Sequence, residues 1–113
     1  MTALKKVLIT GGSGDIAQAI KALLESKGYN VYAPSRHEMD VTDWDSIDKT
    51  MKEFVPDILI NNAGYVVPCS IKEANLENAK KHIDINLSGT IYCTQLGFKY
   101  NPNLEIINVG SAA

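Results

Sequence analysis

The chain has 113 residues, 45% of them apolar and 21% charged, with a formal net charge of −2. That length suits one hydrophobic core, and that charge gives no broad attraction to nucleic acid or to an anionic membrane. No apolar run approaches the ~20 residues of a membrane-spanning helix, and the first predicted strand follows Met1 too closely for a signal peptide. The protein is therefore expected to be cytoplasmic and to bind neither nucleic acid nor membrane.

In chain order, residues 5–10 form a short apolar run ending in glycines, as a buried parallel strand does. Ile16, Ala17, Ile20, Leu23 and Leu24 recur at helical spacing, and Gly28 closes that helix. Residues 31–33 read as a second strand ended by Pro34, and residues 38–41 as a third, short one. Thr42 or Asp43 caps a helix carrying Trp44, Ile47, Met51 and Phe54 on one face, and Pro56 stops it. Residues 57–61 read as a fourth strand. A long helix is predicted over about 76–100, and residues 105–109 read as a fifth strand. The alternation predicts an α/β, Rossmann-like, doubly wound parallel sheet of about five strands in the order 3-2-1-4-5, truncated before its last strands. The link between strands two and three is too short for a full crossover helix.

The strand-to-helix turn Gly12-x-Gly14-x-x-Ala17 fits a dinucleotide-binding fingerprint. Glycines let the backbone approach a pyrophosphate, and the helix N-terminus offers free N–H groups and positive partial charge. About 20 residues on, where an acid would select NAD, stand Ser35 and Arg36, a hydroxyl and a guanidinium suited to a 2′-phosphate. The alternative is that Arg36 is a surface charge. NADP(H) is expected over NAD(H). Asn61-Asn62-Ala63-Gly64 closes the fourth strand with two amides that demand partners and two small residues that admit a ligand. Cys69 and Cys93 form no CxxC pair and read as reduced thiols; His37 and His82 are isolated, so no metal site is expected.

These motifs resemble the nucleotide-binding half of the short-chain dehydrogenase/reductase family. Thr10 to Ala17 is similar to its glycine turn, with a spacing of Gly11 and Gly14 closer to the extended members. Asp15 and Ala17 replace family glycines; Asp15 either caps the helix, turned away from the phosphates, or weakens binding by repulsion. The resemblance implies that Gly11, Ser13, Gly14, Asp15, Ile16, Ser35, Arg36, Asp40, Val41, Asn62, Ala63 and Gly64 hold the cofactor. Asp40-Val41 resembles the pair lining the adenine pocket, although a turn-capping Asp fits equally. Asn86, mid-helix, matches the asparagine of the family's proton relay, the alternative being a helix-bending polar residue. Ser111 matches the serine that polarises the substrate carbonyl.

The resemblance also implies a catalytic tyrosine with a lysine four residues later. None of Tyr29, Tyr32, Tyr65, Tyr92 and Tyr100 has that partner, so the pair is expected outside these 113 residues. The whole chain then reads as one partial NAD(P)-binding domain, 1–113. Hydride transfer between NADP(H) and a carbonyl or alcohol is expected of the full-length member. The alternatives are an inactive dinucleotide-binding or regulatory module, and a chain completed by another that supplies the tyrosine and lysine. The apolar surface of the helix over 76–100 and an exposed fifth strand point to a homo-oligomer or a completing chain.

Overall fold

Val7, Leu8 and Ile9 are fully buried, and their alternation organises the molecule. They lie in β1 (Lys6–Ile9), which pairs in parallel with β2 (Asn30–Tyr32) on one side and β3 (Ile58–Asn61) on the other. β3 pairs in parallel with β4 (Glu105–Asn108), giving the order β2-β1-β3-β4. Successive side chains of a strand face opposite ways. Leu8 and Leu59 therefore point to one face, with Ile47, Met51, Cys93, Leu96 and Leu104. Val7, Ile9 and Ile60 point to the other, with Ala17, Val31, Ile20 and Leu24. The computed structural model describes residues 4–65, 72–73 and 75–110.

Two layers of helix follow from these faces. α1 (Asp15–Ser26) covers the second; α2 (Trp44–Phe54) and α4 (Gly89–Tyr100) cover the first. α1 ends in a Schellman closure, in which the Gly28 N–H donates to the Glu25 carbonyl and the Tyr29 N–H to the Leu24 carbonyl. Of the two anticipated caps for α2, Asp43 serves: its carboxylate accepts from the Asp45 and Ser46 N–H groups. The predicted helix over 76–100 is continuous in backbone but not uniform. It comprises α3 (Leu76–Lys81), a π-helical stretch (His82–Ser88) and α4. Asp48 ties α2 to α4 by accepting from the Tyr100 hydroxyl at 2.7 Å and the Lys99 ammonium at 3.0 Å. Those bonds, Tyr100 first, hold its carboxyl below the usual range.

The expected strand over 38–41 does not form. Its apolar residues Met39 and Val41 are buried, but in the core under α2 and α4 rather than in a ladder. Local bonds outcompete pairing. The Ser35 carbonyl accepts from the Glu38 and Met39 N–H groups, and the Asp40 carboxylate accepts from the Thr42 N–H and hydroxyl. The sheet of the described residues thus has four strands, the expected fourth and fifth being β3 and β4. β4 lies at its edge, with Ile107 52% exposed.

Val55, between α2 and Pro56, takes φ +46°, a left-handed conformation that a β-branched residue adopts only under strain. The following proline disfavours the helical alternative. Val55→Gly is expected to stabilise the fold by about 0.5–1 kcal/mol, the relief of strain exceeding the entropic cost of glycine. Chemical denaturation checks this; an unchanged or lower midpoint overturns it.

Candidate functional site

The strand order reverses between β1 and β3, since the chain leaves β1 toward β2 and returns on the other side to β3. In such sheets the crevice beyond the carboxyl ends at this point receives ligands. The turns that leave the two strands are joined here by Thr10. Its hydroxyl oxygen accepts from the Asn62 and Ala63 N–H groups, both at 2.9 Å, while its carbonyl accepts from the Asn62 side-chain amide at 3.2 Å. Thr10 is almost wholly buried, so these bonds form away from competing water.

The glycines of the turn fall into two kinds. Gly11 has φ +64°, and a Cβ there would meet the Ala63 Cα at 2.8 Å; a Cβ on Gly12 would lie 2.0 Å from the Ala33 carbonyl oxygen. Both are required by the chain's own packing. Gly12 is pinned there, its N–H donating to the Pro34 carbonyl at 2.8 Å, with its carbonyl held by the Gln18 side-chain amide. A Cβ on Gly14 would touch only the Gly11 carbonyl at an ordinary 3.4 Å. Nothing in the described protein requires glycine at this third position, which is the cradle that an approaching pyrophosphate needs. Gly14 is also the N-cap of α1 and gives it no side-chain cap, leaving first-turn N–H groups for a ligand. Asp15 is the first residue of α1 rather than its cap.

Around this turn opens a cleft of about 1040 Å³. Among the anticipated cofactor residues, Gly11, Ser13, Gly14, Asp15, Ile16, Arg36, Asp40, Val41, Asn62, Ala63 and Gly64 line it, and Ser35 does not. Ser35 faces its own turn. Its N–H donates to the Glu38 carboxylate at 3.0 Å, which is the reciprocal half of a Ser-x-x-Glu capping box. Hydrogen bonds from Ser35, backbone first and hydroxyl second, hold the Glu38 carboxyl below the usual range, and the Tyr32 hydroxyl adds another. Burial, then the Glu38 charge, pushes the Tyr32 phenol up.

Asp40 lines the cleft, and its carboxylate also closes a turn by accepting from the Thr42 N–H at 2.9 Å. Asn86 lies in the π-helical stretch, a distortion frequent at functional sites. Its amide clasps the main chain of Tyr65, accepting from the N–H at 2.8 Å and donating to the carbonyl at 2.9 Å. That clasp explains an asparagine in mid-helix, where propensity disfavours it. Ser111 and Cys69 lie outside the described residues. Cys93 is buried, which pushes its thiol up to about 12, so it stays protonated and inert.

Sequence reasoning missed seven lining residues: His37, Met39, Thr42, Tyr65, Lys81, Asp84 and Ile85. A signal existed for His37, which sits inside the capping box, and for Tyr65, which follows Gly64. Tyr65 packs edge-on to His82 at 5.2 Å, lies beneath the Lys81 ammonium and donates to Asn78. Lys81, Asp84 and Ile85 stand at i, i+3 and i+4 and so share the helix face that borders the cleft. Among the described residues, no helix is long and apolar enough to cross a membrane, and no cluster of acidic, His or Cys side chains could hold a metal.

Comparison with known proteins agrees with this geometry. A probable short-chain type dehydrogenase/reductase, VdlC, of Helicobacter pylori is 31% identical, over 94% of this chain and 48% of its own length. An NADP-dependent (R)-specific alcohol dehydrogenase of Lentilactobacillus kefiri is 32% identical over 94% of this chain and 44% of its own. The structure of ElxO with NADP bound superposes with a TM-score of 0.84 at 26% identity, over 96% of this chain and 56% of that one. The chain thus spans about half the length of the relatives it matches. The family model described as the RmlD substrate binding domain matches residues 5–102. With the parallel sheet, the glycine turn and the crevice at its strand reversal, this match establishes that the chain belongs to that family, within the short-chain dehydrogenase/reductase oxidoreductases.

Proposed function

We propose that this chain is the NADP(H)-holding part of a short-chain reductase that interconverts a carbonyl and an alcohol. The observation that carries the reading is the cleft itself. At one end stand an unobstructed Gly14 and the uncapped start of α1, and along its wall stands Arg36. The pyrophosphate fits against Gly14 and the first-turn N–H groups of α1. The 2′-phosphate fits Arg36, whose guanidinium binds phosphate through charge-assisted bonds. Asp40, Val41 and Ile85 line the adenine region, and Asn62, Ala63 and Gly64 meet the ribose. The NADP-dependent relative and the NADP-bound structural neighbour support NADP(H) over NAD(H).

When bound, the nicotinamide supplies or accepts the hydride. This chain's residues bind and orient the dinucleotide, and Asn86 fixes the main chain at Tyr65 on the cleft wall. Ser111 is assigned the polarisation of the substrate carbonyl, from its place shortly after β4 in sequence. Ile83, Leu87 and Ile91 recur every fourth residue along the long helix and are about half exposed, which supports association with a second copy through this surface.

The test is a titration with NADPH and NADH. Arg36→Ala is expected to weaken NADPH about 10- to 100-fold, as loss of a charged hydrogen bond does, and to leave NADH within about twofold. Equal weakening of both overturns the 2′-phosphate assignment. A parent protein that binds NADPH but reduces no carbonyl favours the inactive dinucleotide-binding module instead.

A further inference from the structure

Ser35-Arg36-His37-Glu38 leaves the sheet after β2 and folds back on itself. The Glu38 N–H donates to the Ser35 carbonyl at 3.0 Å, and the Ser35 N–H donates to the Glu38 carboxylate, also at 3.0 Å. Behind those Ser35 bonds, the Tyr32 hydroxyl of β2 and the Lys21 ammonium of α1 also favour the charged form of the Glu38 carboxyl. One residue therefore closes the turn, the Glu38 carboxylate holding the Ser35 N–H while the Glu38 N–H holds the Ser35 carbonyl. The two residues between the ends of the box, Arg36 and His37, both line the cleft. Ser35, whose N–H is occupied by Glu38, does not.

We propose that this capping box is the device that presents Arg36 and His37 together to the 2′-phosphate of NADP(H), with Glu38 as the positioning residue. The inference rests on the reading of the cleft as an NADP(H) site. Arg36 supplies a planar fork of N–H donors and His37 a ring N–H, two donor sets adjacent in sequence and facing one cleft. A free loop would lose conformational freedom on clamping the phosphate; a turn already closed by Glu38 has lost it beforehand. Glu38 also bears on specificity from the opposite side to the usual acid. It withdraws the Ser35 N–H and leaves the phosphate to cationic and imidazole groups.

The experiment titrates NADPH and NADH into the parent protein and into Glu38→Ala, Glu38→Gln and His37→Ala, with circular dichroism recorded for each. Glu38→Ala is expected to weaken NADPH about five- to tenfold, the usual effect of losing a capping interaction, with NADH within about twofold. Glu38→Gln keeps the box, since glutamine serves at that position, and is expected to stay within about twofold for both. His37→Ala is expected to weaken NADPH several-fold and spare NADH, and it carries the test with Glu38→Gln should Glu38→Ala not fold. Tighter NADPH binding by Glu38→Gln shows a repelling rather than positioning carboxylate and overturns the proposal. Equal weakening of both nucleotides by Glu38→Ala, or no effect of His37→Ala, overturns it too. A parent that binds neither nucleotide removes the reading of the cleft and this inference with it, whereas normal NADPH discrimination by Arg36 with silent Glu38 and His37 variants removes this inference alone.

Discussion

Gly12→Ala is expected to cost at least about 3 kcal/mol of stability and to leave little folded protein, because the added methyl would sit 2.0 Å from the Ala33 carbonyl oxygen. No rotamer relieves that overlap, since both partners are backbone. The Gly12 N–H also holds the Pro34 carbonyl at 2.8 Å, so separating the segments breaks the bond that seats the turn over the end of β2. Gly14→Ala, two residues on, meets no such obstacle and is expected to fold normally while losing dinucleotide affinity. The pair separates architecture from ligand. A thermal melt alongside an NADPH titration reads both, and a stable Gly12→Ala variant would show that the turn is not seated as described.

Thr10→Val is expected to cost about 2–4 kcal/mol. The substitution is close to isosteric, but it removes the acceptor of two N–H groups, those of Asn62 and Ala63, and an unpaired buried donor costs about 1–3 kcal/mol. Thr10→Ser keeps the oxygen and is expected to recover most of the loss. Dinucleotide binding should fall with Thr10→Val beyond what unfolding explains, since the released segment 62–64 forms a wall of the cleft. Denaturant midpoints for the two variants, with affinity measured under strongly native conditions, check both parts. Equal midpoints would mean that the hydroxyl does not join the two turns.

The strands and helices that carry this site were legible because their signals are local and periodic. Leu8 and Leu59 on one face, with Val7, Ile9 and Ile60 on the other, follow from unbroken apolar runs flanked by glycine and asparagine. The glycine turn and Asn61 to Gly64 were legible as motifs, and the structure places both at one crevice. Residues 38–41 misled because burial of Met39 and Val41 was read as a strand. Their short side-chain-to-backbone bonds, which bury the same residues without a ladder, leave no period to detect. Ser35 carried a second signal beside its hydroxyl: the glutamate three residues later binds its N–H, and Ser35 does not line the cleft. Lys81, Asp84 and Ile85 share one helix face at i, i+3 and i+4, but two of the three are charged, so hydrophobic periodicity gave that face no mark.

The two sides of the cleft are also held on very different length scales along the chain. The Ser35 amide is bound to a carboxylate three residues away, whereas the Asn62 and Ala63 amides are bound to a hydroxyl 52 and 53 residues away. Opening the first needs one turn to fray; opening the second needs β1 and β3 to part. Deuterium should therefore enter at Ser35 by local fluctuation and at Asn62 and Ala63 only with the cooperative unfolding of the sheet. The wall built by residues 62–64 is as durable as the fold, while the wall built by the turn over residues 35–38 can re-form many times within the life of one native molecule.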